Sequence, residues 1–100
     1  MQSGYKIFWT AEALKNLRGI LKYLEESWSD KEISKFISKL DKRLKLIALN
    51  PKIFSETKTK KHVRRSVLTK QTVIYYLFEN EIVKILTLFD PRQHPSKLKL

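Results

Sequence analysis

No cysteine occurs in the 100-residue chain, which removes disulfide frameworks, thiolate zinc sites and cysteine nucleophiles together. Its two histidines cannot by themselves make a zinc site, and no glycine-rich phosphate loop is present, so neither a metal nor a cofactor is expected. Glycine and proline are scarce at two and three positions, and with 42% apolar residues this argues against disorder despite a charged content of 31%. No apolar run approaches the roughly 20 residues that span a bilayer, and the N-terminus lacks the apolar core of a signal peptide. A cytoplasmic protein with no membrane partner is the expectation. Acid is scarce too: ten Asp/Glu stand against 21 Lys/Arg, a formal charge of +11. That balance favours polyanionic partners such as nucleic acid or an acidic protein. The length fits one domain, residues 1–100, with a single core.

The stretch from Val63 to Phe89 organises the rest. Its middle run, Val73-Ile74-Tyr75-Tyr76-Leu77-Phe78, lies between short breaks at Lys70 and at Glu79-Asn80-Glu81, which predicts a three-stranded antiparallel meander. Alternation sends Val73, Tyr75 and Leu77 to one face and Ile74, Tyr76 and Phe78 to the other. Both faces are apolar, so the sheet expects cover on each side. Ahead of it, Tyr5 to Trp9 reads as a strand ending at Thr10, a helix N-cap with Glu12 in the first turn. Leu14, Leu17, Leu21, Leu24 and Trp28 then form a helical stripe interrupted by Gly19, which either allows close approach or is tolerated. Ser29 and Glu32 have capping-box spacing, and a second helix with the stripe Ile33, Phe36, Ile37, Leu40, Leu44 and Ile47 ends at Asn50-Pro51. Two helices joined so tightly form an antiparallel hairpin with both stripes on the sheet. The fold class is therefore α+β in the order βααβββ, and the proline-containing end from Asp90 to Leu100 is a tail that lies along the sheet or is recruited there by a partner.

The densest charge is Lys58-Thr59-Lys60-Lys61-His62-Val63-Arg64-Arg65, with five Lys/Arg and no acid. Alternation puts Arg64 and Arg65 on opposite faces, so one guanidinium reaches over the sheet. Arginine grips phosphate with its fork of donors and lysine as a point charge, which makes Lys58, Lys60, Lys61, Arg64, Arg65 and Arg92 phosphate- or target-binding candidates. His62 and His94 sit in basic surroundings and are candidate general acids or bases. Glu56 beside the lysines reads as a loop salt bridge.

This order of elements resembles the RelE/ParE superfamily of toxins from bacterial type II toxin-antitoxin systems over nearly the whole chain. The likeness rests on Trp9-Thr10-Ala11-Glu12-Ala13, Asn50-Pro51, Val63-Arg64-Arg65 leading to Val73-Ile74-Tyr75-Tyr76, and the close Ile85-Leu86-Thr87-Leu88-Phe89-Asp90-Pro91-Arg92 with Pro95 and Leu98. It implies a small basic toxin neutralised by an acidic, partly disordered antitoxin that folds on the apolar face, with Tyr75, Tyr76, Phe78 and Phe89 as antitoxin contacts.

RelE-like members cut messenger RNA on the ribosome, with basic residues before and on the meander and an arginine opening its central strand. Here Gln71-Thr72 stands at that opening, so a nuclease reading rests on His62, Arg65, Arg92 and His94. ParE-like members poison DNA gyrase, and the ending Phe89-Asp90-Pro91-Arg92 followed by Pro95 and Leu98 looks more like theirs. The resemblance therefore implies a gyrase poison, with ribosome-dependent cleavage of messenger RNA as the second reading. A basic nucleic-acid-binding module without toxicity is the third.

Overall fold

The computed structural model describes residues 4–100. Strand β1 (Lys6–Trp9) leads into helices α1 (Ala11–Ser27) and α2 (Asp30–Leu49), and a long loop precedes β2 (Val63–Thr69), β3 (Thr72–Glu79) and β4 (Ile82–Phe89). A single 3-10 turn, Pro95–Lys97, lies in the tail. The three later strands form the expected antiparallel meander, and the sheet order is β1-β4-β3-β2. Strand β1 pairs parallel to β4, from Lys6 opposite Ile82 to Trp9 opposite Ile85, so the sheet is mixed. The meander pattern did not place β1. Both hairpins are tight, and Asn80 and Glu81 carry φ of 54° and 60°, which matches the twist of a two-residue hairpin turn.

Thr10 joins β1 to α1. Its Oγ1 accepts from the Ala13 N–H at 3.2 Å and its hydroxyl donates to the Ile85 carbonyl at 2.7 Å, so one side chain caps the helix and ties it to β4. That tie sets the helix rotation. The face turned inward carries Ala13, Asn16, Leu17 and Ile20, whereas Leu14 and Trp28 of the expected stripe are 39% and 54% exposed. A count of large apolar residues overlooks this because Ala13, the fully buried member, is small and Asn16 is polar.

Asn16 has a task. Opposite Tyr75 and Tyr76 the β4 partners are Thr87 and Ile85, so Leu86 is an extra, bulged residue where β1 has already ended. Asn16 Oδ1 accepts there from the Leu88 N–H at 3.1 Å and the Thr87 hydroxyl at 2.6 Å, completing the edge that β1 leaves open.

Helix α2 follows its expected stripe more closely. Leu40 and Ile47 are buried and Phe36 and Leu44 pack on them, while Ile37 is 48% exposed. Ser29 is its N-cap residue, yet its side chain makes no cap bond; the Glu32 N–H donates to the Ser29 carbonyl instead, and the expected capping box is not formed.

On the helix side the core joins Ala13, Leu40, Ile47, Leu68, Ile74, Tyr76, Val83, Ile85 and Leu88. Full burial of Ile47, Ile74 and Ile85 stabilises by about 1.5–3 kcal/mol each relative to exposure. A second cluster, Val63, Val73, Tyr75 and Phe89, occupies the opposite face. The tail covers it: Leu98 and Leu100 pack there, and Tyr75 and Phe89 are 8% and 9% exposed. Of the two expectations for the tail, that it lies along the sheet or is recruited there by a partner, the structure shows the first: this apolar face is covered by the chain's own tail.

Candidate functional site: a basic groove beside the tail

The loop from Ile53 to Thr59 and the tail residues Leu98 and Leu100 wall a groove of about 570 Å³ floored by Arg65, Val67 and Tyr75. The loop is held as a rim because its backbone continues the sheet. Thr57 N–H donates to the Val63 carbonyl at 2.7 Å and Arg65 N–H to the Ser55 carbonyl at 3.3 Å, with a bridge between Glu56 and Arg64.

Adjacent arginines have opposite tasks because alternation divides them. Arg64 turns to the helix side, where Nη1 donates to the Phe54 carbonyl at 2.7 Å and Nη2 meets Glu56 Oε2 at 3.3 Å, its side chain only 15% exposed. Glu56 also accepts from the His62 N–H at 3.2 Å, and His62 takes a left-handed φ of 67°. Glu56 is therefore the loop salt bridge expected of it, and Arg64 is a clamp. Arg65 is exposed, with its guanidinium carbon 5.9 Å from the centre of the Tyr75 ring. It forms no ion pair among the described residues. A guanidinium over an aromatic face, beside Lys58 and in a groove whose lining acid, Glu56, is paired with Arg64, is a seat for an anionic group next to an apolar floor. Lys60 borders it and donates from Nζ to the main-chain oxygen of Leu100 at 2.9 Å, which pins the end of the tail. Lys61 is exposed on the same loop.

Arg92 and His94 belong to the tail. Arg92 grips Asp90 through Nε at 3.0 Å and Nη2 at 2.7 Å, and its own N–H adds a third bond at 2.9 Å. The side-chain bond from Arg92 holds the Asp90 carboxyl below its ordinary pKa, and the same contact raises that of Arg92. His94 Nδ1 accepts from the Ser96 N–H at 3.1 Å and caps the 3-10 turn. Among the described residues no hydrogen bond or ion pair links His62, Arg65, Arg92 and His94 to one another.

The four aromatics also divide. Tyr75 and Phe89 lie under the tail with ring centres 6.5 Å apart. Tyr76 and Phe78 lie on the helix side, Tyr76 with no exposed surface and its hydroxyl donating to the Pro51 carbonyl at 2.7 Å. Burial pushes the Tyr76 hydroxyl up to about 12.

Arg43 was not singled out in the sequence. From α2 it donates to Ser66 Oγ at 2.6 Å and the Val67 carbonyl at 2.8 Å, and its guanidinium lies 5.5 Å from the Phe54 ring centre. It fixes the groove wall against β2. The one signal is its place between Leu40 and Ile47 on the inward flank of a helix whose other bases are lysines.

Comparison with known proteins is consistent with this fold. Residues 7–95 match the family model described as the ParE toxin of type II toxin-antitoxin system, parDE. Among solved structures, the chromosomal ParDE toxin-antitoxin system from P. aeruginosa aligns with TM-score 0.72 at 13% identity, covering 89% of this chain and 98% of that one. The YoeB dimer from Staphylococcus aureus aligns with TM-score 0.61 at 16% identity over 87% and 97%. HP0894 from Helicobacter pylori aligns with TM-score 0.57 at 20% identity over 89% and 97%. At these identities the three structures show a shared fold. No curated protein matches the chain.

Proposed function

This chain belongs to the ParE toxin family of type II toxin-antitoxin systems, and from that premise we propose that it arrests growth by poisoning DNA gyrase in the cytoplasm until a cognate acidic antitoxin captures it. It acts as one domain that holds a target and carries out no hydrolysis. The observation that carries this reading is that the nuclease candidates His62, Arg65, Arg92 and His94 are not brought together and that two of them are engaged in structural bonds. His94 Nδ1 accepts from the Ser96 N–H and Arg92 is held by Asp90, while Arg65 stands apart over Tyr75. A general acid or base must be within hydrogen-bond reach of its proton and matched by a partner, and these groups converge on no common point.

The antitoxin's acidic segment docks in the groove, with Arg65, Lys58 and Lys60 as its charge partners and Tyr75 as its floor. The formal charge of +11 draws it in. Phe89 contributes from beneath the tail, and Tyr76 and Phe78 support the groove from behind. One feature favours the messenger RNA reading: Arg65, exposed beside Tyr75, is an arrangement that also accepts a phosphate and a base.

The test is induction of the chain without its antitoxin, with DNA damage signalling and messenger RNA integrity followed in one culture. Growth arrest with damage signalling ahead of codon-phased cleavage is expected. Rapid cleavage of translated messages with intact DNA would replace this reading by the nuclease one, and undisturbed growth would leave the non-toxic binding module.

A further inference from the structure

The outer face of α2 takes no part in the groove, which lies on the other side of the sheet. Lys31, Lys35, Lys39 and Lys42 line a shallow surface there with Ser34 and Ser38 between them. All six are exposed. At a rise of about 1.5 Å per residue the ridge from Lys31 to Lys42 is about 16 Å long. Lys35 approaches Glu32 only to 3.9 Å, and Asp41 is engaged by Lys45 at 3.2 Å, so neither acid neutralises the ridge. Lys31, Lys39 and Lys42 form no ion pair among the described residues.

What is missing from this face selects its partner. A protein interface is anchored by buried aromatic or apolar side chains, and between Lys31 and Lys42 the ridge offers only lysine and serine. An interfacial membrane helix turns apolar side chains into the lipid, whereas the apolar face of α2 is turned to the sheet. Single strands are held by aromatic stacking, and no aromatic lines this surface. A duplex backbone needs none of these; lysine contacts phosphate as a point charge, and serine donates to it. A helix about 10–12 Å across fits the B-form major groove of about 12 Å, while the deep, narrow A-form major groove excludes it.

We propose that the outer face of α2 is a docking ridge for duplex DNA, contacting backbone phosphates through Lys31, Lys39 and Lys42 with Lys35 beside them. Contact is independent of base sequence. Because ridge and groove face away from each other, a chain holding a protein partner in the groove keeps the ridge free for DNA.

The experiment measures binding of the full chain to a short labelled DNA duplex of mixed sequence across a salt series. The matching RNA duplex, the single strand and vesicles of anionic lipid serve as competitors. The variant Lys31→Gln with Lys39→Gln and Lys42→Gln is set against Lys6→Gln with Lys70→Gln and Lys84→Gln, which removes equal charge from other exposed positions. The ridge variant is expected to lose at least about tenfold in affinity, and its salt slope to fall by about 0.9 for each lost contact. The control is expected to lose far less. Should the triple variant be unstable, Lys39→Glu alone is expected to give the same ordering at smaller amplitude. Equal losses in both sets, an unchanged slope, or tighter capture by RNA, single strand or vesicles would overturn the proposal.

Discussion

Arg64 and Arg65 are neighbours with the same side chain, and strand alternation alone separates a clamp from a contact. Truncating Arg64 strands the Phe54 carbonyl and Glu56, so Arg64→Ala is expected to cost about 1.5–3 kcal/mol in urea unfolding. Arg65→Ala removes no ion pair and is expected to leave stability within about 0.5 kcal/mol while weakening antitoxin binding. Equal destabilisation by the two changes would remove the distinction. Tyr76 gives the chain an alkaline limit. Its hydroxyl stays protonated in the folded state up to about 12 against an ordinary value of 10.0, so above pH 10 the unfolded state binds fewer protons and stability falls until about pH 12. Tyr76→Phe is expected to flatten that limb of the stability profile. It also costs about 1–2 kcal/mol at neutral pH by leaving the Pro51 carbonyl without its donor. An unchanged alkaline limb would show that another group sets it.

The two glycines, one within α1 and one ahead of β1, divide by their surroundings. Gly19 lies in α1 with nothing within 4 Å of the place a Cβ would take, so Gly19→Ala is expected to stabilise by about 1 kcal/mol through helix propensity. The sequence left close approach and tolerance open there, and the geometry decides for tolerance. Gly4 has φ of +81°, and a Cβ there would stand 3.0 Å from the Ala48 carbonyl oxygen, beside the bond that Tyr5 N–H makes to that oxygen. Gly4→Ala is expected to destabilise by more than about 1 kcal/mol, since left-handed strain and backbone crowding act together. Thermal unfolding of the two variants should move in opposite directions; movement in the same direction would contradict these placements. The helix periods and the Thr10 cap were legible because both are set within a few residues. The rotation of α1 was not, because it depends on the bond from Thr10 to Ile85, 75 residues away.

Across the whole molecule, the tail decides how much apolar surface the chain presents. Its backbone bonds are local, from Gln93 to Asp90, Lys97 to His94 and Leu98 to Pro95, and among the described residues only Lys60 hydrogen-bonds to its end. Seating therefore rests on Leu98 and Leu100, and tail amides are expected to exchange with solvent well before those of β3. Leu98→Ala is expected to cost about 1–2 kcal/mol and to speed exchange at Tyr75 and Phe89. Tail amides protected as strongly as β3 would show that the segment is a fixed part of the core.

The sequence by itself determined what repeats or pairs locally: the strand alternation that splits Tyr75 from Tyr76, the two amphipathic helices, the tight hairpins and the basic run ahead of β2. Its excess of positive charge and lack of cysteine likewise bounded partners and chemistry without a fold. Only the tertiary structure decided that β1 lies parallel to β4, that Asn16 completes the β4 edge, that Arg43 braces the groove and that Leu98 and Leu100 cover the second face. Each of these joins residues far apart in the chain. An apolar pattern states that a surface must be buried, but which segment buries it depends on reach and shape, which exist only once the chain has folded.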